Sequence, residues 1–558
     1  MSVLDWIVLF LAIVGIAVYG TWKYRSKQKS ISSYLKGNNE DKWYTIGLSI
    51  MATQASAITF LSIPGQAFED GMGFIQFYLG LPIAMIILSA YFLPIYYKLK
   101  VYTAYEYLES RFDLKTRLLT SGLFLIQRGL STGITIYAPA IILSTLLHWP
   151  LTPTICFIGF LVILYTFSGG TAAVSHTQTL QMAVIWGGML AAFFIILNSL
   201  PDNIGLPQVV KIAGNFDKLN IIDYNFKVES RYNFWSGLLG GLFVALSYFG
   251  TDQSQVQRYI SGESLKQSRI GLLFNGLLKI PMQFYILFIG VMIFVFFQFN
   301  QQPLFFNKIE ENKIKVSTYK NEYQAIENNY NNIQKQKADK IVYSFSKEQS
   351  EIDFTEINAL QKQQLELKKQ AKALIKKNNE GVEVKDTDYV FISFILNNVP
   401  QGLIGLLLAI VFSAAMSSTA GQISGLSSAS MVDFYKRVFA KDKSDKHYVN
   451  AAKLNTVLWG VLGIVFALLA DKAENLIQAV NILGSLFYGT ILGIFVCGFF
   501  IKQIKSNAVF YSAILSEIIV IALFFSTDIG FLWFNIIGCV LVVIISAVFN
   551  SFFKNTKA

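Results

Sequence analysis

Long apolar runs alternate with short polar loops from one end of the chain to the other. Runs of about twenty residues match the length an α-helix needs to cross a bilayer, and only structures that close their own backbone hydrogen bonds can span lipid. The pattern predicts about thirteen spans, at 4–22, 43–66, 72–97, 117–147, 151–168, 177–200, 234–255, 270–298, 400–432, 449–470, 474–500, 507–526 and 528–552. The fold class is therefore an all-α polytopic membrane protein. The first run, Val3 to Tyr19, has no basic stretch before it and no clear cleavage site after it, so it reads as a retained span.

Alternate loops are basic. They hold Lys23, Arg25, Lys27 and Lys29; Lys98, Lys100, Arg111, Lys115 and Arg117; Arg258, Lys266 and Arg269; Lys436, Arg437, Lys441, Lys443 and Lys446; Lys502 and Lys505; and Lys554 and Lys557. The opposite short loops, "FEDGMG", "HWPLT" and "STD", have almost no Lys or Arg. The positive-inside rule then predicts an N-terminus outside and a C-terminus inside, which an odd number of spans permits. Because much of the net charge of +11 sits in these loops, it argues for membrane orientation rather than a nucleic-acid partner. The three cysteines, Cys156, Cys497 and Cys539, each lie inside an apolar run at spacings that make neither a disulfide framework nor a zinc site.

Residues 301–390 are a long polar insert, which this topology places outside the membrane. Tyr319, Tyr323, Ile326, Tyr330 and Ile333 recur at helical steps, as do Ile357, Leu360, Leu367, Ala371 and Leu374. Two amphipathic helices in a hairpin are expected.

Three spans carry polar residues where their neighbours carry Leu, Ile and Phe. In "VFSAAMSSTAGQ" (411–422), Ala414, Ser417 and Ser418 fall on one helix face. A carbonyl and two hydroxyls there suit either a monovalent cation or, with Gly421 and Gly425, close packing of another helix. Residues 43–71 place Thr53, Gln54, Ser56, Thr59 and Ser62 in mid-span, followed by Pro64-Gly65, which predicts a discontinuous helix. "FWSGLLGGLFVALSYFGTDQSQVQRYISG" (234–262) is interrupted in the same way five spans later, the separation two inverted five-span repeats require.

These segments, with "IQRGLSTGITIYAPAIIL" (126–143) and "DFYKR" (433–437), resemble the sodium/solute symporter family of sodium-coupled sugar, sialic acid, iodide, monocarboxylate and vitamin transporters. The resemblance covers nearly all of the chain outside the insert. It implies a five-plus-five inverted-repeat core like that of the bacterial leucine transporter. The expected division is an extra N-terminal span (1–30), a first repeat (40–200), a second repeat (230–500) holding the insert, and two C-terminal spans (505–558). By the same resemblance the bound ion is sodium, held by Ala52, Ala55, Ala414, Ser417 and Ser418. Tyr248 matches the tyrosine that closes the inner side of the substrate site in sugar members.

Ala245 stands where sugar members carry a ligand asparagine, and Ile58-Thr59 replaces their acid–amide pair, so a hexose is disfavoured. Arg128 aligns with the carboxylate-binding arginine of sialic acid members. A guanidinium grips a carboxylate bidentately, and a cation inside a span marks function. Arg128 and Lys279 are accordingly candidates, together with Gln54, Ser56, Thr59, Gln76 and Gln478. Relatives with a second sodium use an aspartate after "SGG" and hydroxyls beyond the serine pair. Here Gln178, Ala420 and Gly421 occupy those positions, which implies one sodium per cycle.

The expected function is uptake of a small organic anion, such as a sialic acid or monocarboxylate, coupled to inward sodium flow at a plasma membrane of the bacterial inner-membrane kind. No obligate protein partner is evident. Sugar or vitamin symport and a transporter-like sensor are the alternatives. A membrane enzyme would need a nucleophile–base pair or metal cluster, whereas His148, His176 and His447 are scattered.

Overall fold

A computed structural model describes residues 2–24, 41–147, 149–346, 354–380, 384–469 and 476–553. Arg25, Lys27, Lys29, His148, Lys554 and Lys557 lie outside the described residues. The chain begins with α1 (Val3–Tyr24), then α2 (Trp43–Gln54), α3 (Ala57–Asp70), α4 (Met72–Leu99), α5 (Glu106–Arg111), α6 (Leu114–Leu147) and α7 (Leu151–Asn198). There follow α8 (Leu206–Asn215), α9 (Ser236–Thr251), α10 (Gln253–Tyr259) and α11 (Leu265–Phe299). The insert contributes α12 (Lys308–Lys315), α13 (Lys320–Ser346) and α14 (Thr355–Asn378). The chain closes with α15 (Val390–Asn398), α16 (Leu403–Phe439), α17 (Asp445–Leu468), α18 (Leu476–Phe500), α19 (Ser506–Ser526) and α20 (Trp533–Phe553).

Among the described residues, eight helices are long and apolar enough to cross a membrane, or nine with α2 and α3 taken as one bent span. Their outer faces carry large apolar side chains such as Leu277 and Phe525, 73% and 80% exposed. Such faces are costly in water and suited to lipid. The most interior span is α16, which packs against α1, α2, α6, α7 and α10. Small residues let neighbours this close. A Cβ on Gly405 would meet the Asp5 carbonyl at 2.1 Å, and one on Gly425 would meet Ser254 backbone at 2.9 Å.

Both polar segments break, though not where Pro and Gly suggest. The first bends by 61° at Ala55 and Ser56, between α2 and α3. Pro64 lies inside α3, while Gly65 serves packing: a Cβ there would sit 1.9 Å from the Thr387 carbonyl oxygen. The second breaks at Asp252, whose extended backbone separates α9 from α10. Its glycines Gly240 and Gly241 instead press against Leu532 and Phe77. The expected spans 151–168 and 177–200 share one continuous helical backbone in α7, running through Gly169 and Gly170. Each glycine costs a helix about 1 kcal/mol, less than leaving backbone groups unpaired in apolar surroundings.

The insert helices α13 and α14 pack as expected, burying Tyr323, Tyr330, Ala371 and Ile375 together, with Tyr319, Ile326, Leu367 and Leu374 alongside.

An ion-pair cluster fastens the ends of α5, α6 and α16. Asp433 is fully buried and receives Arg117 through Nε at 2.8 Å and an amino group at 2.6 Å, with Thr103 at 2.7 Å and Ser121 at 3.0 Å. Arg117 also reaches Glu109 at 2.8 Å, which Arg437 grips from α16. Removing one partner strands a buried charge, whereas replacing the pair by apolar residues removes the desolvation cost with it. Asp433→Ala is therefore expected to lower unfolding free energy by about 3–5 kcal/mol. The double change Arg117→Met with Asp433→Leu should cost less than the single one, as read by denaturant unfolding of detergent-solubilised protein.

Candidate functional site

The break between α2 and α3 frees two carbonyls. In an unbroken helix the Ala52 and Ala55 carbonyls would receive the amides of Ser56 and Thr59. Here Ser56 donates to the Gln54 carbonyl and Thr59 to the Ser56 carbonyl, both at 3.0 Å. Carbonyls released in apolar surroundings need another partner. Across from them runs α16. Its Ser417 Oγ is buried with no hydrogen-bond partner among the described residues, and Ser418 Oγ reaches the Ala415 carbonyl at 3.3 Å.

One side chain binds the two elements together. Gln178 of α7 donates through Nε2 to Thr53 Oγ1 at 3.0 Å and to the Ser417 carbonyl at 3.4 Å, while its Oε1 accepts from Ser49 at 2.5 Å. The amide thus stands between α2 and α16 with hydrogen-bonding partners on both its atoms. The freed carbonyls and the orphaned hydroxyl are uncharged oxygens, the ligand type that suits a weakly held monovalent cation.

Beside the break lies a cavity of about 90 Å3, lined in part by Gln54, Ser56, Thr59, Arg128 and Tyr248. Arg128, 2% exposed, donates through one amino group to Asp252 and to the Tyr488 hydroxyl, and its guanidinium lies over the Tyr248 ring, 5.2 Å from the centroid. Asp252 is fixed by its own break, capping α10 by accepting the Ser254 amide at 2.9 Å and hydroxyl at 2.6 Å. Tyr488 from α18 adds a bond to Asp252 at 3.1 Å. Arg128 Nε, by contrast, has no hydrogen-bond partner among the described residues.

The cavity's remaining polar groups are uncharged. Gln54 Oε1 and Asn481 Nδ2 are unpartnered among the described residues, and Gln422 Oε1 accepts Thr132 at 3.1 Å and Thr135 at 3.3 Å. Ala245 and Ile58 also face it, contributing no side-chain oxygen.

Three candidate residues lie elsewhere. Gln76 staples the 223–232 loop, accepting the Asp223 amide at 2.9 Å and donating to the Tyr232 carbonyl at 3.4 Å. Gln478 accepts from Arg231 at 2.7 Å. Lys279 is fully buried behind the cavity wall, 5.8 Å from the centroid of the Tyr78 ring. The sequence reading passes over Asp252, Tyr488, Gln422 and Asn481. For Asp252 a signal exists: a carboxylate inside a span marks function as much as an arginine does.

A sodium:solute symporter family model matches residues 34–318 and 367–516. The chain is 26% identical to the sodium/sialic acid symporter SiaT of Proteus mirabilis (strain HI4320), across 99% of this chain and 96% of that protein. Over 45% of this chain and 39% of the other, it is 34% identical to the sodium/iodide cotransporter of Homo sapiens. A solved structure of a Na+-coupled sialic acid symporter, substrate-bound and outward-open, superposes with a TM-score of 0.76 at 23% identity, over 99% of this chain and 98% of that one. Two broken helices and a matching family model converge: this multi-pass membrane protein belongs to the sodium:solute symporter family.

Proposed function

We propose that the protein takes up a small organic acid, of the sialic acid or monocarboxylate class, across a bacterial inner membrane, driven by one inward sodium ion per cycle. The observation that carries this reading is Arg128. A buried guanidinium on the cavity wall, with one edge held by Asp252 and Tyr488 and its Nε unpartnered among the described residues, offers a carboxylate a charged hydrogen bond in a desolvated place. Asp252 neutralises Arg128 between cycles, which removes most of the cost of burying an unpaired cation. A solute carboxylate then takes the Nε edge while Asp252 keeps its Ser254 bonds. Sialic acid and monocarboxylate symporters among the relatives support the same class.

Sodium in this reading is held by the Ala52, Ala55 and Ala414 carbonyls and the Ser417 and Ser418 hydroxyls. A cation there bridges α2, α3 and α16, the elements that wall the cavity. Ion and solute thereby stabilise the same arrangement, which is what coupling demands. A cavity of about 90 Å3 admits few solute atoms, so loading requires its walls to part.

The neutral Arg128–Asp252 pair and the amides Gln54, Gln422 and Asn481 favour a second reading, a polyhydroxy neutral solute that hydrogen-bonds to the intact pair. Charge at residue 128 separates the two. For an anion, Arg128→Gln should cut uptake by about a hundredfold or more, and Arg128→Lys less, because lysine keeps the charge without the fork. Radiolabelled uptake measures both, with sodium-dependent thermal stabilisation as the control for folding. Full sugar uptake by Arg128→Gln would establish the second reading instead.

Ser417→Ala and Ser418→Ala should each raise the sodium concentration for half-maximal uptake about tenfold, the worth of one lost polar ligand, with membrane insertion intact. Unchanged sodium dependence in both would leave the serines a packing role.

Gln178 bears on stoichiometry. Its amide presents N–H donors to Thr53 and Ser417 where a cation would need acceptors, and it lacks the charge that would offset a second cation's desolvation. Reversal potentials in proteoliposomes should give one sodium per solute, and Gln178→Asp should move the ratio toward two.

A further inference from the structure

A second cavity, about 330 Å3, lies between the insert and the core, on the side that the basic-loop asymmetry places outside. That volume falls within the range of small-molecule sites, about 300–1,000 Å3. Its roof comes from α13 and α14, including Gln361, Gln364 and Leu365 from the stretch 319–366 that the family model does not match. Its floor is the end of α3 and its neighbours, with Phe68 and Phe306 presenting ring faces.

The polar groups facing this space are mostly donors. Lysines Lys218, Lys368, Lys369 and Lys372 face it, against the carboxylates Glu69 and Asp386. Asp386 is already committed, to Lys372 at 2.8 Å and to the Phe306 amide at 2.7 Å. Lys218 donates to the Glu69 carbonyl, and Lys369 sits at the rim, 3.8 Å from Glu366. Lys368 has no carboxylate within ion-pair distance among the described residues. Its ammonium lies 5.2 Å from the Phe306 ring centroid and 5.7 Å from that of Phe68.

Behind the roof a buried cation sets the polarity. Lys337, 1% exposed, donates to Gln361 Oε1 at 2.6 Å and to Gln364 Oε1. Both amides must turn their carbonyls toward it, leaving their NH2 groups for other partners. Gln364 is 2% exposed, and its Nε2 has no partner among the described residues. A buried donor left unpaired is costly. An ammonium, an orphaned amide donor and two aromatic faces together match an acid with an apolar body.

We propose that this cavity is a second, outer binding site for the carboxylate of a small organic acid of the transported class, with Lys368 as counter-charge, Gln364 Nε2 as donor and Phe68 and Phe306 as the apolar bed. It rests on the reading of an anionic solute given above. The floor helix α3 also carries Ile58 and Thr59 to the central cavity, and Gly65 seats it on Thr387 of the segment that leaves the insert. An occupant therefore bears on the helix whose inner end walls the transport site.

Burial pushes the Lys368 ammonium down to about 8 and that of Lys337 to about 7. A bound carboxylate favours protonated Lys368. With Lys218, Lys369, Lys372, Glu69, Asp386 and Tyr330 around it, affinity should be full below that value and fall as pH rises through about 8.

The test uses the full chain in nanodiscs with a reporter, Leu365→Trp, placed at an exposed lining position. Fluorescence relative to the parent is followed on adding N-acetylneuraminate, pyruvate or inorganic phosphate, with Arg128→Gln present to disable the central site. The expected result is a saturable response to an organic acid, weakened about tenfold by Lys368→Gln and largely retained by Lys368→Arg. In uptake assays Lys368→Gln should raise KM with kcat unchanged. A response to phosphate alone makes this an inorganic-anion site and overturns the proposal, as does silence toward all three probes. A reporter response to organic acid alongside unimpaired uptake by Arg128→Gln would sink the central-site reading while leaving the outer site standing.

Discussion

A helix that stops inside a membrane leaves carbonyls that water cannot serve, and the rest of this structure is arranged around that constraint. At Ala55 and Ser56 the chain gives up helical bonds to the Ala52 and Ala55 carbonyls. The cost is several kcal/mol per unpaired group in hydrocarbon. The surroundings supply small residues, hydroxyls and amides rather than a new backbone ladder. Gly421 lets α16 come close to Thr53, Gln178 ties Thr53 to the Ser417 carbonyl, and Ser417 keeps its hydroxyl unspent. A site built from neutral oxygens binds a monovalent cation weakly enough to release it, as a transport cycle requires.

The second break is handled differently. Asp252 caps its own helix, and the charge this introduces is matched by Arg128 from α6, with Tyr488 of α18 bonding to both. Three elements distant in sequence thus meet at one ion pair on the cavity wall. Where the first break frees carbonyls, the second fixes a guanidinium on the cavity wall. Residues beside both breaks, Gln54 and Ser56 at the first and Tyr248 and Phe249 at the second, line the same cavity.

Much of this was legible from residue pattern. Apolar run length marked the helices, hydroxyls in mid-span marked α2, α3 and α16, and the lone arginine in "IQRG" pointed to the cavity wall. The break positions were less legible, because Pro64-Gly65 and Gly240-Gly241 are strong turn signals that here serve close packing against Thr387, Leu532 and Phe77. In apolar surroundings a helix continues through such residues when ending it would orphan more backbone groups. Asp252 was hidden for another reason. The polar run "GTDQSQ" lies close to the end of its span, where a carboxylate is as readily solvated as buried, and the tertiary fold shows that this one is wholly buried. Gln76 and Gln478 illustrate the converse. Polar residues near span ends are as readily spent on stapling loops, as Gln76 and Gln478 are.

In the proposed mechanism the carbonyls freed at the α2–α3 break and the serine face of α16 hold the coupling cation. Thallium(I), a monovalent cation with a strong anomalous signal, tests it in crystals of the full chain. The account predicts an anomalous peak between the Ala52 and Ala55 carbonyls and the Ser417 and Ser418 hydroxyls, displaced by sodium. A sodium-displaced peak elsewhere, with the break left bare, would contradict it.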